Sequence, residues 1–268
     1  MKISIFDIEG KVKNNIELPG QFDEPVRTDI IKRAVEVIQG NNRQAYGARP
    51  GAGKRHSALI SKRRRQYRGC YGAGISRVPR KIMSRSGTRM NWVGAFAPGT
   101  VGGRNAHPPK ANKIWSKKIN RKERRMAIRS ALAATVLKEF VAGRGHQLPN
   151  NYPFAVESRI ESLEKTKTVK DVLEKLGFSE ELKRTEERTI RAGKGKMRGR
   201  KYKSKKGVLI VVGENCRLMT TAKNLHGIEV AEIKNINVEL LAPGAQAGRL
   251  TLFTDGALAK LNKEKLFS

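Results

Sequence analysis

The residues whose types and spacing come nearest to a catalytic or cofactor motif lie at Arg49-Pro-Gly-Ala-Gly-Lys-Arg55. Glycines before a lysine can cradle a nucleotide's phosphates with backbone N–H groups and an ammonium. The pattern departs from a phosphate loop at both ends. Ala48 stands where the first glycine belongs, Arg55 stands where a magnesium-holding Ser or Thr belongs, and no buried strand precedes the segment. It reads as a flexible basic loop. The four histidines (His56, His107, His146 and His226) are scattered without metal-ligand spacing, and the two cysteines, Cys70 and Cys216, lie far apart. No metal, cofactor or small-molecule substrate is expected, and cysteines so few and distant suit a reducing compartment.

The chemistry that the sequence does offer is charge neutralisation. Of 56 Lys and Arg residues, 21 fall between Val37 and Lys122 with no Asp or Glu among them, and 10 fall between Arg188 and Lys206, again without an acid. The rest of the chain holds 25 basic and 24 acidic residues, so the net charge of +32 resides almost wholly in two polycations interrupting a near-neutral protein. A solvated face mixes signs, whereas segments without a carboxylate call for a polyanion, and nucleic acid is the commonest one in a cell. Hydrolases and nucleases need carboxylates beside the substrate to hold metal or move protons. Both segments lack them, which argues against an enzyme.

Candidate RNA-binding cations in the first segment and its margin are Arg43, Arg49, Lys54, Arg55, Lys62, Arg63, Arg64, Arg65, Arg68, Arg80, Lys81, Arg85, Arg89, Arg104, Lys110, Lys113, Lys117, Lys118, Arg121 and Arg124. In the second they are Arg191, Lys194, Lys196, Arg198, Arg200, Lys201 and Lys203. Aromatics are interleaved with these cations: Tyr46, Tyr67, Tyr71, Trp92, Phe96, Trp115 and Tyr202. Unpaired bases stack on such rings at roughly 1–3 kcal/mol each, which favours RNA over duplex DNA. The alternative is that some rings anchor the basic segment to the protein core, and for Trp115, beside a returning helix, the two readings stand level.

A membrane is a poorer partner. The many glycines and prolines of the first segment forbid a wide apolar helical face. The longest strongly apolar run, Val208-Leu-Ile-Val-Val212, is too short to cross a bilayer, and Met1-Lys-Ile-Ser-Ile-Phe-Asp7 meets an acid too early for a secretory signal.

The elements that must position these segments read as α/β. Ile3, Ile5 and Ile8, then Val12, Ile16 and Leu18, predict a hairpin turning near Glu9-Gly10. Val26 to Gln39 places Ile30, Ile31, Ala34, Val35 and Ile38 on one helical face. From Asn41 to about Trp115 no period survives. Helical spacing resumes from Arg121 to Ala142, with Arg121, Lys122, Arg124, Arg125 and Arg129 in its first turns; cations there oppose the helix dipole and are expected to face an external anion. Phe154-Ala-Val156 predicts a short strand, Thr168 to Asp171 a capping box opening a helix to Leu176, and Ser179 the cap of another. Val208 to Val212 predicts a strand buried on both faces. Val230 to Ile233, Ile236 to Leu241 and Leu250 to Phe253 are further strand candidates, and Asp255 to Lys265 a closing helix. The expectation is one globular domain, 1–40 with 119–268, holding a mostly parallel sheet covered by helices. Residues 41–118 form a long extended internal loop inserted into it, and 188–206 a second basic segment.

Several stretches resemble a known family. Trp115-Ser-Lys-Lys-Ile-Asn-Arg-Lys-Glu-Arg-Arg-Met-Ala-Ile-Arg-Ser-Ala-Leu-Ala-Ala-Thr135, Arg191-Ala-Gly-Lys-Gly-Lys-Met-Arg-Gly-Arg200 and Leu240-Leu-Ala-Pro-Gly-Ala-Gln-Ala-Gly-Arg249 are similar to the universal large-subunit ribosomal protein four family, in its archaeal and eukaryotic branch. Phe96-Ala-Pro and Gly72 to Arg80 fit as well, and the absence of a long C-terminal extension favours an archaeal source. The resemblance implies a cytoplasmic protein of the large ribosomal subunit that binds ribosomal RNA early in assembly. Its extension would thread several RNA domains, and its tip (Gly72, Ala73, Gly74, Ile75, Ser76 and Arg77) would line the polypeptide exit tunnel. The implied partners are large-subunit ribosomal RNA, neighbouring ribosomal proteins including the second protein of the tunnel narrowing, and the nascent chain. Rival readings are a basic scaffold of another ribonucleoprotein or of chromatin, which would bind duplex DNA tightly, and an RNA-processing enzyme, which would place carboxylates against a basic groove.

So little apolar surface cannot offset the conformational entropy of residues 41–118 without a polyanion. Limited proteolysis of the free protein is expected to cut first between Tyr46 and Lys113, and RNA to protect that span; resistance without RNA would contradict the expectation.

Overall fold

The computed structural model describes residues 1–267. The alternating N-terminal isoleucines form β1 (Lys2–Phe6), which pairs antiparallel with β2 (Val12–Glu17). The turn between them is closed by the Ile8 N–H donating to the Asp7 carboxylate at 2.7 Å and by Gly10 at φ +82°, a conformation glycine adopts without penalty. Helix α1 (Thr28–Asn41) follows, then β3 (Arg80–Ser86) and β4 (Arg89–Gly94), then α2 (Arg121–Val136) and α3 (Lys138–Gly143). The remainder runs β5 (Phe154–Val156), α4 (Thr166–Lys175), α5 (Ser179–Glu186), β6 (Thr189–Ile190), β7 (Tyr202–Lys203), β8 (Leu209–Val212), α6 (Leu218–Thr221), β9 (Glu229–Glu232), α7 (Val238–Leu241), β10 (Thr251–Thr254) and α8 (Asp255–Lys263).

Six strands make one sheet in the order β2-β1-β5-β10-β8-β9, parallel except for the β1–β2 edge. Its register explains the continuous apolar run. Ala155, Phe253, Val211 and Ala231 stand opposite one another across four strands and face α1, α2, α7 and α8. Leu252 and Ile210, one residue along, point to the other face, where Val169, Leu173, Leu182 and Leu218 from α4, α5 and α6 cover them. All four residues of β8 are therefore fully buried, two in each core. At roughly 1.5–3 kcal/mol per large side chain, these two cores hold the α/β domain together. Arg249 is a buried cation between elements: it donates to the carbonyls of Gly207 at 3.0 Å and Leu240 at 2.9 Å and pairs with Glu229 at 2.6 Å. Burial lowers its pKa, and Glu229 opposes that shift.

Two compact units are distinguished, Met1–Asn42 with Ser116 onward, and Arg43–Trp115. The second has almost no core: of its residues only Cys70 and Ala95 are buried. Its aperiodic sequence concealed β3 and β4, an antiparallel hairpin turning at Gly87-Thr88. No residue of either strand is buried, so backbone pairing forms the hairpin without an apolar alternation to announce it.

Four other expectations are corrected. The helix predicted over Arg121 to Ala142 breaks at Leu137, whose φ and ψ of −80° and 111° are extended; Val136 thereby packs in one core and Val141 in the other. Thr168 forms no capping box: its helix starts at Thr166, and its hydroxyl donates back to the Lys165 carbonyl at 3.1 Å. Ser179 lies inside its helix, with Phe178 at the cap position. The strand predicted at Ile236 to Leu241 is the short helix α7, because the Asn237 side chain accepts from the Leu240 N–H at 2.8 Å and caps it.

A buried polar network joins α5 to the loop before β5. Glu181 accepts from Arg184 at 2.7 Å and from the Gln147 N–H at 3.0 Å, and lies 2.7 Å from His146 Nδ1. Burial pushes the Glu181 carboxyl up, but hydrogen bonds from Arg184, His146 and Gln147 outweigh it and hold the group below its ordinary value. A carboxylate depressed in the folded state stabilises above the unfolded value of 4.5, and that contribution fades as pH falls through the folded value. Glu181→Gln is expected to cost about 1–3 kcal/mol at neutral pH. Urea unfolding across a pH series should show the deficit narrowing in acid.

Candidate nucleic-acid interface

The outgoing limb of the insertion carries Arg43, Arg49, Lys54 and Arg55, and the returning limb carries Arg104, Lys110 and Lys113. A backbone bond holds these limbs together, the Ala48 N–H donating to Pro109 O at 3.0 Å, while the returning limb turns on itself through the Arg104 N–H donating to Phe96 O at 3.3 Å. The glycines of Arg49 to Arg55 serve that approach. Gly53 has φ +72°, and a Cβ there would sit 2.5 Å from Arg104 Cα. The segment is thus a turn packed against the returning limb rather than a free loop, and no strand precedes it as a phosphate loop requires.

Beyond the limbs, Lys62, Arg63, Arg64, Arg65 and Arg68 occupy a loop between Ser61 and Cys70, which is closed by the Cys70 N–H donating to Ser61 O at 3.2 Å. Arg80, Lys81 and Arg85 lie on β3 and Arg89 on β4. Most of these cations are exposed; Arg68, Arg80, Lys81 and Arg104 are half-buried. Gly72, Ala73, Gly74, Ser76 and Arg77 are exposed and Ile75 half-buried, with open space around Gly72 and Gly74. From Val37 to Lys122, among the described residues, only Lys117 comes within ion-pair distance of a carboxylate, Glu36 at 3.9 Å. The cations are left uncompensated.

The rings do not stand apart from the charges. Arg77 lies over Tyr71 at 5.2 Å, Arg80 over Trp92 at 5.4 Å, Arg68 over Tyr67 at 5.4 Å and Lys54 over Phe96 at 5.9 Å from the ring centroids. Such contacts are worth about 0.5–1 kcal/mol where exposed and draw each ring toward a phosphate-seeking group. Tyr46 and Trp115 differ. They stack on each other at 5.8 Å, with Arg43 at 3.6 Å and Lys113 at 4.3 Å from the Trp115 centroid. The Trp115 ring thus clamps the two ends of the insertion to each other.

The second basic segment forms a two-stranded ribbon of β6 and β7. Lys194, Lys196 and Arg198 occupy the turn between the strands, with Arg191, Arg200, Lys201 and Lys203 on or beside them. Lys201 lies over Tyr202 at 5.4 Å. Lys205 and Lys206 are tied instead to Glu187 and Glu229. Arg188, His226, Lys223 and Tyr202 border a recess of about 460 Å³; Lys223 and His226 lie outside the basic run, so spacing gave no signal for them. On the globular unit, Lys118, Arg121 and Arg124 are exposed, and the Lys117 N–H donates to the Asn41 side chain at 2.8 Å. Arg129 is a correction. Rather than facing an external anion it pairs with Glu24 at 2.8 Å and donates to Phe267 O.

Among the described residues no cluster of His, Cys, Asp and Glu could hold a metal, and no helix is long and apolar enough to cross a membrane. The model of the ribosomal protein L4/L1 family matches residues 16–264. The chain belongs to that family. Similar proteins are the large ribosomal subunit proteins uL4 of Nanoarchaeum equitans, 50% identical over all of both chains, and of Methanosphaera stadtmanae, 43% identical over 97% of this chain and 96% of the relative. That of Archaeoglobus fulgidus is 42% identical over 98% and 99%. These likenesses put the chain in the archaeal branch of the family, and membership in a family of ribosomal proteins makes it a structural protein, not an enzyme.

If the Trp115 clamp holds the base of the insertion, Trp115→Ala should raise tryptic cleavage at Arg43 and Lys113 severalfold in the free protein, while Trp92→Ala leaves those two sites unchanged. Peptide mapping by mass spectrometry reads both.

Proposed function

We propose that this chain is a structural constituent of the large ribosomal subunit and a primary binder of its RNA, acting early in subunit assembly. The α/β domain docks on the RNA surface. Residues 41–118 fill clefts between RNA helices from several domains and hold them together, and 188–206 grips RNA near the domain's edge. One observation carries this reading: a unit with two buried residues and no carboxylate, whose cations have no ion-pair partner among the described residues. Phosphates supply the missing countercharge, as the names of the archaeal relatives lead one to expect.

The exposed segment Gly72 to Arg77 is the part that lines the polypeptide exit tunnel. Its open surroundings and glycines leave room for a passing chain. The neighbours there are the nascent polypeptide and the second protein of the tunnel narrowing.

Each phosphate neutralised steepens the fall of log K with log salt by about 0.7–0.9. Replacing Arg63, Arg64 and Arg65 together by Ala should weaken binding to a large-subunit RNA fragment and flatten that slope by about 2–3 units. An unchanged slope would count against phosphate contact at this loop.

A further inference from the structure

The insertion holds one recess whose lining is neither a simple charge cluster nor a core. Leu59 and Arg80 exchange two backbone hydrogen bonds, at 3.3 and 3.2 Å, which lays the segment before Ser61 alongside β3. The loop from Ser61 to Cys70 then folds back over the junction. Between them lies a cavity of about 380 Å³ lined by Leu59, Tyr67, Arg68, Arg80, Ile82 and Trp92, with no carboxylate on its walls. That volume falls within the roughly 300–1,000 Å³ of small-molecule sites.

Three features set the recess apart from the rest of the basic surface. Arg65 and Arg68 have φ of +57° and +63°, left-handed conformations that cost a non-glycine residue and that surrounding structure must hold in place. The Nε of Arg68 is buried with no hydrogen-bond partner among the described residues, a donor left unused inside the loop. Two aromatic rings line the same cavity, each with a guanidinium over it: Arg68 for Tyr67 and Arg80 for Trp92. Flat apolar walls, guanidinium donors and no acid match a base with its phosphate. They do not match a peptide's ammonium or a metal ion.

We propose that this recess takes one unpaired RNA nucleotide, with its base against Trp92 and Tyr67 and its phosphate toward Arg68 and Arg80. The inference rests on the RNA-binding reading above and adds to its phosphate contacts a defined site for one base. Through this site the insertion recognises a nucleotide extruded from the helical stack, and so acquires a fixed register along RNA that charge alone does not confer.

The test uses the full chain with Trp115→Phe, which leaves Trp92 as the only tryptophan; the difference signal between the native chain and its Trp92→Phe variant gives the same readout if Trp115→Phe perturbs folding. The probes are a short oligouridylate and an abasic ribose-phosphate oligomer of equal length and charge. The oligouridylate should change Trp92 fluorescence and bind about ten-fold tighter than the abasic oligomer, with the same salt slope for both. Tyr67→Ala should reduce that advantage and leave the slope intact. Equal affinity and no difference in Trp92 signal, with salt dependence retained, would overturn the pocket and leave the phosphate reading standing. Failure of both oligomers to bind would sink the RNA reading itself.

Discussion

Uncompensated positive charge is the constraint on which the rest of this structure depends. Ion pairs elsewhere in the protein are local and balanced, such as Arg249 with Glu229 or Arg129 with Glu24. The insertion offers its cations no such partner beyond the exposed contact of Lys117 with Glu36. At physiological salt, charges closer than about 8 Å repel with little screening, and runs such as Lys62 to Arg65 are adjacent in sequence. A buried core could offset that repulsion, but Cys70 and Ala95 do not make one. The backbone bond between the limbs, the β3–β4 hairpin and the ring–cation contacts give the insertion a shape, and phosphates stabilise it.

The globular unit is built to tolerate this. The insertion leaves after α1 and returns before α2, and both helices pack in the same core, through Ile31, Ala34, Ala131 and Leu132. The Asn41 side chain accepts the Lys117 N–H, so the two departure points are tied by a bond within the globular unit. The near balance of charge outside the two basic segments lets the sheet fold on hydrophobic terms alone.

Parts of the chain governed by burial could be read from the sequence, and parts governed by local hydrogen bonding could not. The run Val208 to Val212 announced a strand covered on both sides because every residue in β8 enters a core. The α1 face and the closing helix followed from the same period. Ile236 to Leu241 misled because its β-branched residues suggest a strand, while a single side chain, Asn237, caps a helix. The break at Leu137 lies in an unbroken apolar period; only the presence of two cores, one on each face of the sheet, explains it. In the candidate interface the charged residues were legible by their count and their lack of acids. The recess around Arg68 and Trp92 was not, since it depends on segments some twenty residues apart meeting through the Leu59–Arg80 pair.

The central claim is that the insertion holds its shape against RNA phosphates. The most direct measurement is the path of residues 41–118 in a reconstruction of the assembled large subunit from the source organism. The account predicts continuous density threading between RNA helices, with the cations of both limbs and of the Lys62 to Arg65 loop against phosphate oxygens. An insertion projecting into solvent, or packed chiefly on other proteins with its cations away from RNA, would contradict it.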